Sequence, residues 1–233
     1  MKILKPLFIT LFICNTALLC TAQDINTLVL QAKQKIEKVN DYQAMGRMKT
    51  NVTFLKVPVA NVKVYFKKPN KLKVKSEKGI SFIPKGAVSF NMNNILAGND
   101  YTIIDAGTEK LANIPVRVAR LLPNDDNSEI VLSTIYIDAI KNQILKAKTT
   151  TKDNGTYELE MSYGKYAAFG LPDKIIFSFN TKDYKLPKGM TFDFDDGSVK
   201  PKPADKNKIK KGRAEITFSS YTINKGLPES VFL

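Results

Sequence analysis

From Asp24 to Asp41 the apolar positions Ile25, Leu28, Ala32, Ile36 and Val39 recur at spacings of three and four, with Gln31, Lys33, Gln34, Lys35, Glu37 and Lys38 elsewhere. That spacing lines one face of a helix and predicts a single amphipathic helix over 24–41. Asp24 suits its N-cap, because a carboxylate there accepts a first-turn N–H and lies at the positive end of the helix dipole. No other long helix is predicted.

Beyond Asp41 the period drops to two. In Ala44–Phe54, Ala44, Gly46, Met48, Val52 and Phe54 fall on one face, opposite Arg47, Lys49, Asn51 and Thr53. Val62, Val64 and Phe66 alternate with Asn61, Lys63, Tyr65 and Lys67, and Leu72 and Val74 with Lys71, Lys73 and Lys75. Strands with one wet and one dry face belong to antiparallel sheets. Further strands are predicted at Gly79–Ile83, Tyr101–Ala106, Ile114–Leu121, Glu129–Asp138, Gln143–Thr151, Tyr157–Tyr163, Lys174–Thr181 and Ala214–Ile223. Lys68-Pro69-Asn70, Pro123-Asn124-Asp125-Asp126, Asp153-Asn154-Gly155 and Gly170-Leu171-Pro172 supply turns between them. Short connections predict a meander with nearest-neighbour pairing. Ala87–Asn99 is ambiguous, with a short helix possible at Asn93–Leu96, and Lys188–Arg213 reads as a long polar loop. That loop holds Lys200-Pro201-Lys202-Pro203, a stretch no central strand accommodates, followed by further cations.

Composition narrows the chemistry once the N-terminus is considered. Lys2 and Lys5 precede a nearly unbroken apolar run, Leu7–Leu19, which ends in Cys20-Thr21-Ala22. That is the layout of a secretory signal peptide, cut after Ala22, and the run is short for a membrane-spanning helix. Residues 1–22 are therefore expected to be a cleaved signal and residues 23–233 one exported domain. Leu19 before Cys20 argues against lipid anchoring at that cysteine. Cys14 and Cys20 are the two cysteines of the chain, and the sequence has no His. A mature chain lacking both residue types excludes thiolate sites, disulfides and every histidine mechanism. A Ser-Lys dyad or a carboxylate pair remains open in principle, but an enzyme becomes the minority reading, and no catalytic residue, metal or cofactor is expected. Asp193-Phe194-Asp195-Asp196-Gly197 has only a superficial likeness to a calcium loop, since the ligand spacing and the closing Glu are missing.

The whole chain carries a net charge of +14, and losing Lys2 and Lys5 leaves +12. In an exported protein such a charge points to anionic headgroups or an acidic partner surface rather than to nucleic acid, or simply to a lysine-rich surface. Ten or so strands and one helix pose a packing question, because one helix covers only part of a curved sheet's dry face. Either the sheet closes into a barrel, or helix and loops cover a hydrophobic cavity suited to an acyl chain.

Val64-Tyr65-Phe66-Lys67-Lys68-Pro69-Asn70-Lys71-Leu72-Lys73-Val74 resembles the strand–turn–strand signature of LolA-like proteins, the periplasmic lipoprotein carriers. Thr134-Ile135-Tyr136-Ile137-Asp138 followed by Ile144-Leu145-Lys146-Ala147 is similar to a second segment of that family, and Ile216-Thr217-Phe218 through Asn224–Phe232 to its C-terminal pattern. The resemblance implies a mainly β fold (α+β), a single curved antiparallel sheet forming an incomplete barrel, lidded by the N-terminal amphipathic helix and loops. It implies no catalysis. In the lipoprotein carriers the residue before this Pro is an Arg that ties the lid and serves release. Here Lys68 stands there, keeping the charge without the planar fork of a bidentate clamp.

The function expected on this basis is a non-enzymatic periplasmic carrier, acting as a monomer. Lipid or lipoprotein acyl chains would be its partners, taken from an inner-membrane donor towards an outer-membrane acceptor. Met48, Val52, Phe54, Val62, Val64, Phe66, Leu72, Val74, Ile80 and Phe82 are the residues expected to face the cavity, with Lys68 at the lid. The alternative is an envelope sensor or adaptor that binds a membrane-protein partner through its sheet edge or the basic Lys200–Arg213 loop.

Overall fold

The N-terminal helix, α1, runs Ile25–Glu37 in the computed structural model, which describes residues 23–52, 55–56, 59–69, 71–76, 100–153, 155–180 and 211–232. Asp24 is its N-cap and accepts a hydrogen bond from the Thr27 amide at 3.1 Å. That bond holds the Asp24 carboxyl below its ordinary range. The helix is shorter than its apolar period predicts. Val39 extends the pattern and is buried, but it sits in the turn that follows. The Asn224 side-chain oxygen there accepts the Asn40 amide at 2.7 Å and the Asp41 amide at 3.4 Å, turning the backbone from helix to strand.

Among the described residues eleven strands follow: β1 (Asp41–Val52), β2 (Leu55–Lys56), β3 (Ala60–Lys67), β4 (Lys71–Ser76), β5 (Tyr101–Leu111), β6 (Ile114–Pro123), β7 (Ile130–Asp138), β8 (Gln143–Thr151), β9 (Gly155–Ser162), β10 (Lys174–Asn180) and β11 (Lys211–Ile223). They form one antiparallel sheet in the order β4-β3-β1-β11-β10-β9-β8-β7-β6-β5, with β2 paired to the end of β1. The meander expectation holds on both sides of one junction and fails there. β1 pairs with β11, the last strand, which leaves β4 and β5 as the two edges among the described residues. The sheet is thus an open, incomplete barrel.

Strands β5 and β11 reach well beyond their expected bounds. β5 continues past Ala106 to Leu111 because Gly107, at φ +86°, carries the backbone through a bulge between Asp105 and Thr108. β11 begins at Lys211, so the last residues of the predicted polar loop are strand. A Cβ on Gly212 would lie 2.3 Å from Cζ of Phe179 on the adjacent β10, so the ring occupies the place of the missing side chain.

The expected signal 1–22, Phe54, the predicted strand Gly79–Ile83 with Ile80 and Phe82, Ala87–Asn99, Asp193–Gly197 and the predicted basic loop as far as residue 210 lie outside the described residues, as does the side chain of Val52. Among the described residues no helix is long and apolar enough to cross a bilayer.

Candidate functional site: the concave apolar face

Register places the dry positions of all the long strands on one face. Ala44 lies opposite Val64 and Tyr221, Met48 opposite Ile216, Val64 opposite Val74, and Phe177 opposite Leu159 and Ala214. This face carries two clusters. In the first, Leu28, Val29, Ala32 and Ile36 of α1 pack on Leu121, Ile135, Ile137, Leu159, Met161 and Phe177 from β6, β7, β9 and β10. Leu28 and Ile135 have no exposed surface, so the space beneath the helix is filled core. The second cluster lies on β1, β3, β4 and β11 and includes Ala44, Met48, Val62, Val64, Phe66 and Tyr221. Leu72, Val74, Ile216 and Phe218 at its margin are only partly buried.

An aromatic group closes the lower part of the second cluster. Tyr221 meets Tyr166, Phe218 and Tyr42 at ring distances of 4.9, 5.0 and 5.4 Å, and Tyr42 meets Phe66 at 5.3 Å. The Tyr221 hydroxyl donates to the Pro172 carbonyl at 2.8 Å. Burial raises the Tyr42 and Tyr221 hydroxyls well above the ordinary tyrosine value, so both are neutral donors at physiological pH.

The helix works as a strap across this curved sheet. Its 13 residues cover about 20 Å, whereas the seven strand spacings from β6 to β3 take about 34 Å along the sheet. The strap meets both sides because the sheet curls around it. At the leading end, Arg117 on β6 donates to the Gln23 carbonyl at 2.9 Å and to Asp105 at 2.6 Å. In the last turn, Lys35 donates to the Lys141 carbonyl in the β7–β8 turn. At the trailing end, the Lys68 ammonium donates to the Glu37 carbonyl at 2.6 Å, and the Lys68 amide donates to the Asn40 carbonyl at 2.8 Å. A cation there also complements the negative end of the helix dipole.

A second fastening, absent from the sequence reading, joins the C-terminal segment to the same corner. The buried Asp41 carboxylate accepts the Lys225 and Gly226 amides at 3.1 Å each, and Asn224 donates to the Lys38 carbonyl at 2.8 Å. Lys67 donates to the Leu227 carbonyl at 2.7 Å and pairs with Glu229 at 2.9 Å, and Lys71 pairs with the other Glu229 oxygen. The bonds from Lys71 and then Lys67 hold the Glu229 carboxyl below its ordinary range. These partners lie some 160 residues apart in sequence, so no local pattern announces them.

Of the residues expected at the cavity, Met48, Val62, Val64, Phe66, Leu72 and Val74 share the second cluster. The structure therefore brings together the described members of that set. Met48, Val62, Val64 and Phe66 are buried, so a ligand reaching them displaces the side chains that cover them. Lys68 lies at the end of the helix rather than within the cluster. Two sizeable recesses, of about 750 and 480 Å³, open on the outer side of β1 and at the β5–β6 and β7–β8 turns, away from the space under α1. Among the described residues no group of His, Cys, Asp and Glu side chains is arranged to hold a metal ion.

No protein-family model matches the chain, and no curated protein matches it. Solved structures do. A LolA superfamily protein from Nitrosomonas europaea superposes with a TM-score of 0.57 at 11% identity, covering 89% of this chain and 96% of that one. A domain from Vibrio parahaemolyticus described as outer membrane lipoprotein-sorting gives 0.55 at 12% identity, over 88% and 94%. A DUF1329 family protein from Desulfovibrio piger gives 0.53 at 13% identity, over 90% and 97%. The likeness fixes the fold, which is LolA-like: an open, curled antiparallel sheet with a helix across its concave face.

Proposed function

We propose that the protein is a non-enzymatic lipid carrier of the bacterial envelope, holding acyl chains against the concave face of β1, β3, β4 and β11. The observation that carries this reading is the mismatch between helix and sheet. α1 buries five side chains against the β5–β10 side, and the apolar face continues beyond it through Phe66, Leu72 and Val74. Apolar surface of that kind, inside a curved wall, suits a flexible hydrocarbon chain. A LolA-like fold supports the same reading, as does the absence of His from the chain and of Cys beyond Cys20. Transport towards the outer membrane, export by a signal cut after Ala22, and action as a monomer belong to this proposal.

Lys68 is the residue proposed to govern access. Its bond to Glu37 ties the strap to the β3–β4 turn, next to the strands that would receive the ligand. Release would require that bond to break, and a single ammonium contact breaks more readily than a bidentate guanidinium. The test is to purify the protein from its own envelope and extract what it holds. Lipid or acylated protein at near-stoichiometric occupancy supports the carrier; protein that is consistently free of lipid sinks it.

A further inference from the structure

Charge is distributed unevenly over the outer face of the sheet. On β8 and β9 the outward lysines face carboxylates: Lys146 lies opposite Glu160, Lys148 opposite Glu158, and the Lys146 ammonium is 3.3 Å from Glu158. Lys174 on β10 likewise pairs with Glu215 on β11 at 2.8 Å. On β1, β3 and β4 cations outnumber carboxylates. Their outward positions carry Arg47, Lys49, Lys63 and Lys75, besides the two lysines engaged by Glu229. Of these, Lys49 faces Glu215 of β11, a carboxylate that Lys174 and Arg213 already share. The one acid in the same series, Asp41, is buried and bonded to the C-terminal segment.

Register sharpens the point. Lys63 lies directly opposite Lys75, and Lys67 directly opposite Lys71. Like charges placed opposite each other destabilise a sheet, and β8–β9 shows the same chain using the stabilising arrangement. Lysines on β4 protect an open edge from pairing with other chains. That reason does not extend to Arg47, Lys49 and Lys63, which stand on interior strands. Side chains of interfacial character lie among these cations. Tyr65 sits beneath the Lys75 ammonium, 5.8 Å from its ring centre, and Met45 is 41% exposed.

We infer that the outer face of β1, β3 and β4 docks the protein on the surface of an anionic phospholipid bilayer. The cations occupy three adjacent strands, about 4.8 Å apart across the sheet and about 6.8 Å apart along each strand. They therefore form a two-dimensional array. A headgroup layer offers phosphates in two dimensions, whereas an extended acidic peptide offers a single line of charge. Tyrosine and methionine among the cations suit the boundary between headgroups and acyl chains.

The experiment is flotation of the processed protein with vesicles of phosphatidylcholine containing phosphatidylglycerol, against phosphatidylcholine alone. Binding to the anionic vesicles only, falling as salt is raised, is expected. Each cation removed weakens binding about fivefold, so Lys63→Gln/Lys75→Gln loses about 25-fold. Lys110→Gln/Lys148→Gln, which removes the same charge elsewhere, changes it little. The first variant melts at or above the parent temperature, because a like-charge pair is relieved. Arg47→Gln/Lys49→Gln serves as a second variant should it fail to fold. Equal binding to both vesicle types, or equal loss in the control variant, overturns the inference. So does binding to neither vesicle with retention on immobilised polyglutamate. Lipid held on the concave face is measured separately, so this inference and the carrier reading fail independently.

Discussion

The Lys68 ammonium caps the C-terminal end of α1 by donating to the Glu37 carbonyl at 2.6 Å, across 31 residues of sequence. One contact thus joins the end of the helical strap to the turn between β3 and β4. Lys68→Ala removes a charged donor and a favourable charge at the helix end, costing about 1 kcal/mol of stability. Lys68→Arg keeps both and stays within a few tenths of the parent. Denaturant midpoints measure the totals. Hydrogen exchange adds the location, with the last turn of α1 exchanging faster in Lys68→Ala and β7–β9 unchanged.

Gly170 holds the other side of the strap. Its φ is +64°, and a Cβ there would lie 2.8 Å from Cγ1 of Ile36 on α1. Gly170→Ala therefore meets backbone strain and a side-chain clash together, and is expected to cost about 1–3 kcal/mol. Ile36→Ala, made alone, costs about 2–5 kcal/mol. Combined with Gly170→Ala it gives less than the sum, because alanine lacks the Cγ1 atom that contests the space. Strict additivity in thermal or denaturant unfolding would contradict the packing described.

Acidification tests the C-terminal fastening. The folded Glu229 carboxyl titrates below the ordinary glutamate value of 4.5, owing to its bonds with Lys71 and Lys67. A carboxyl with a lowered folded value contributes stability above its unfolded value and loses it as pH falls through the folded one. Glu229→Gln is accordingly less stable than the parent near neutral pH, and the gap closes as pH drops below 4.5. A gap that stays constant through that range would show that Glu229 acts through something other than its charge.

The strand pattern was legible because most of the sheet has one wet face, which turns burial into a period of two. β3 is an instance: Val62, Val64 and Phe66 are buried between half-exposed Lys63, Tyr65 and Lys67. Helix α1 was legible for the corresponding reason at period 3.6, yet its end was not. Val39 keeps the apolar rhythm while Asn224, 185 residues away, captures the next backbone amide. Gly212 hid the start of β11, since a glycine reads as loop until the ring of Phe179 is seen lying over it. Pairing of β1 with β11 and the fastening at Asp41 and Glu229 depend on which distant segments meet, and local periodicity carries no information about that. Six of the ten residues expected at the cavity share one cluster because alternation puts them on the same face. Alternation does not say how much of that face the helix leaves uncovered, and this decides between core and binding site.

The most direct measurement is photolabelling with a palmitic acid analogue carrying a diazirine midway along its chain, followed by peptide mapping. The account predicts label on Ala60–Ser76 and on β1, reduced several-fold by Leu72→Glu or Val74→Glu at positions exposed enough to tolerate the change. Label confined to the outer positions of the sheet, or undiminished in both variants, would contradict it.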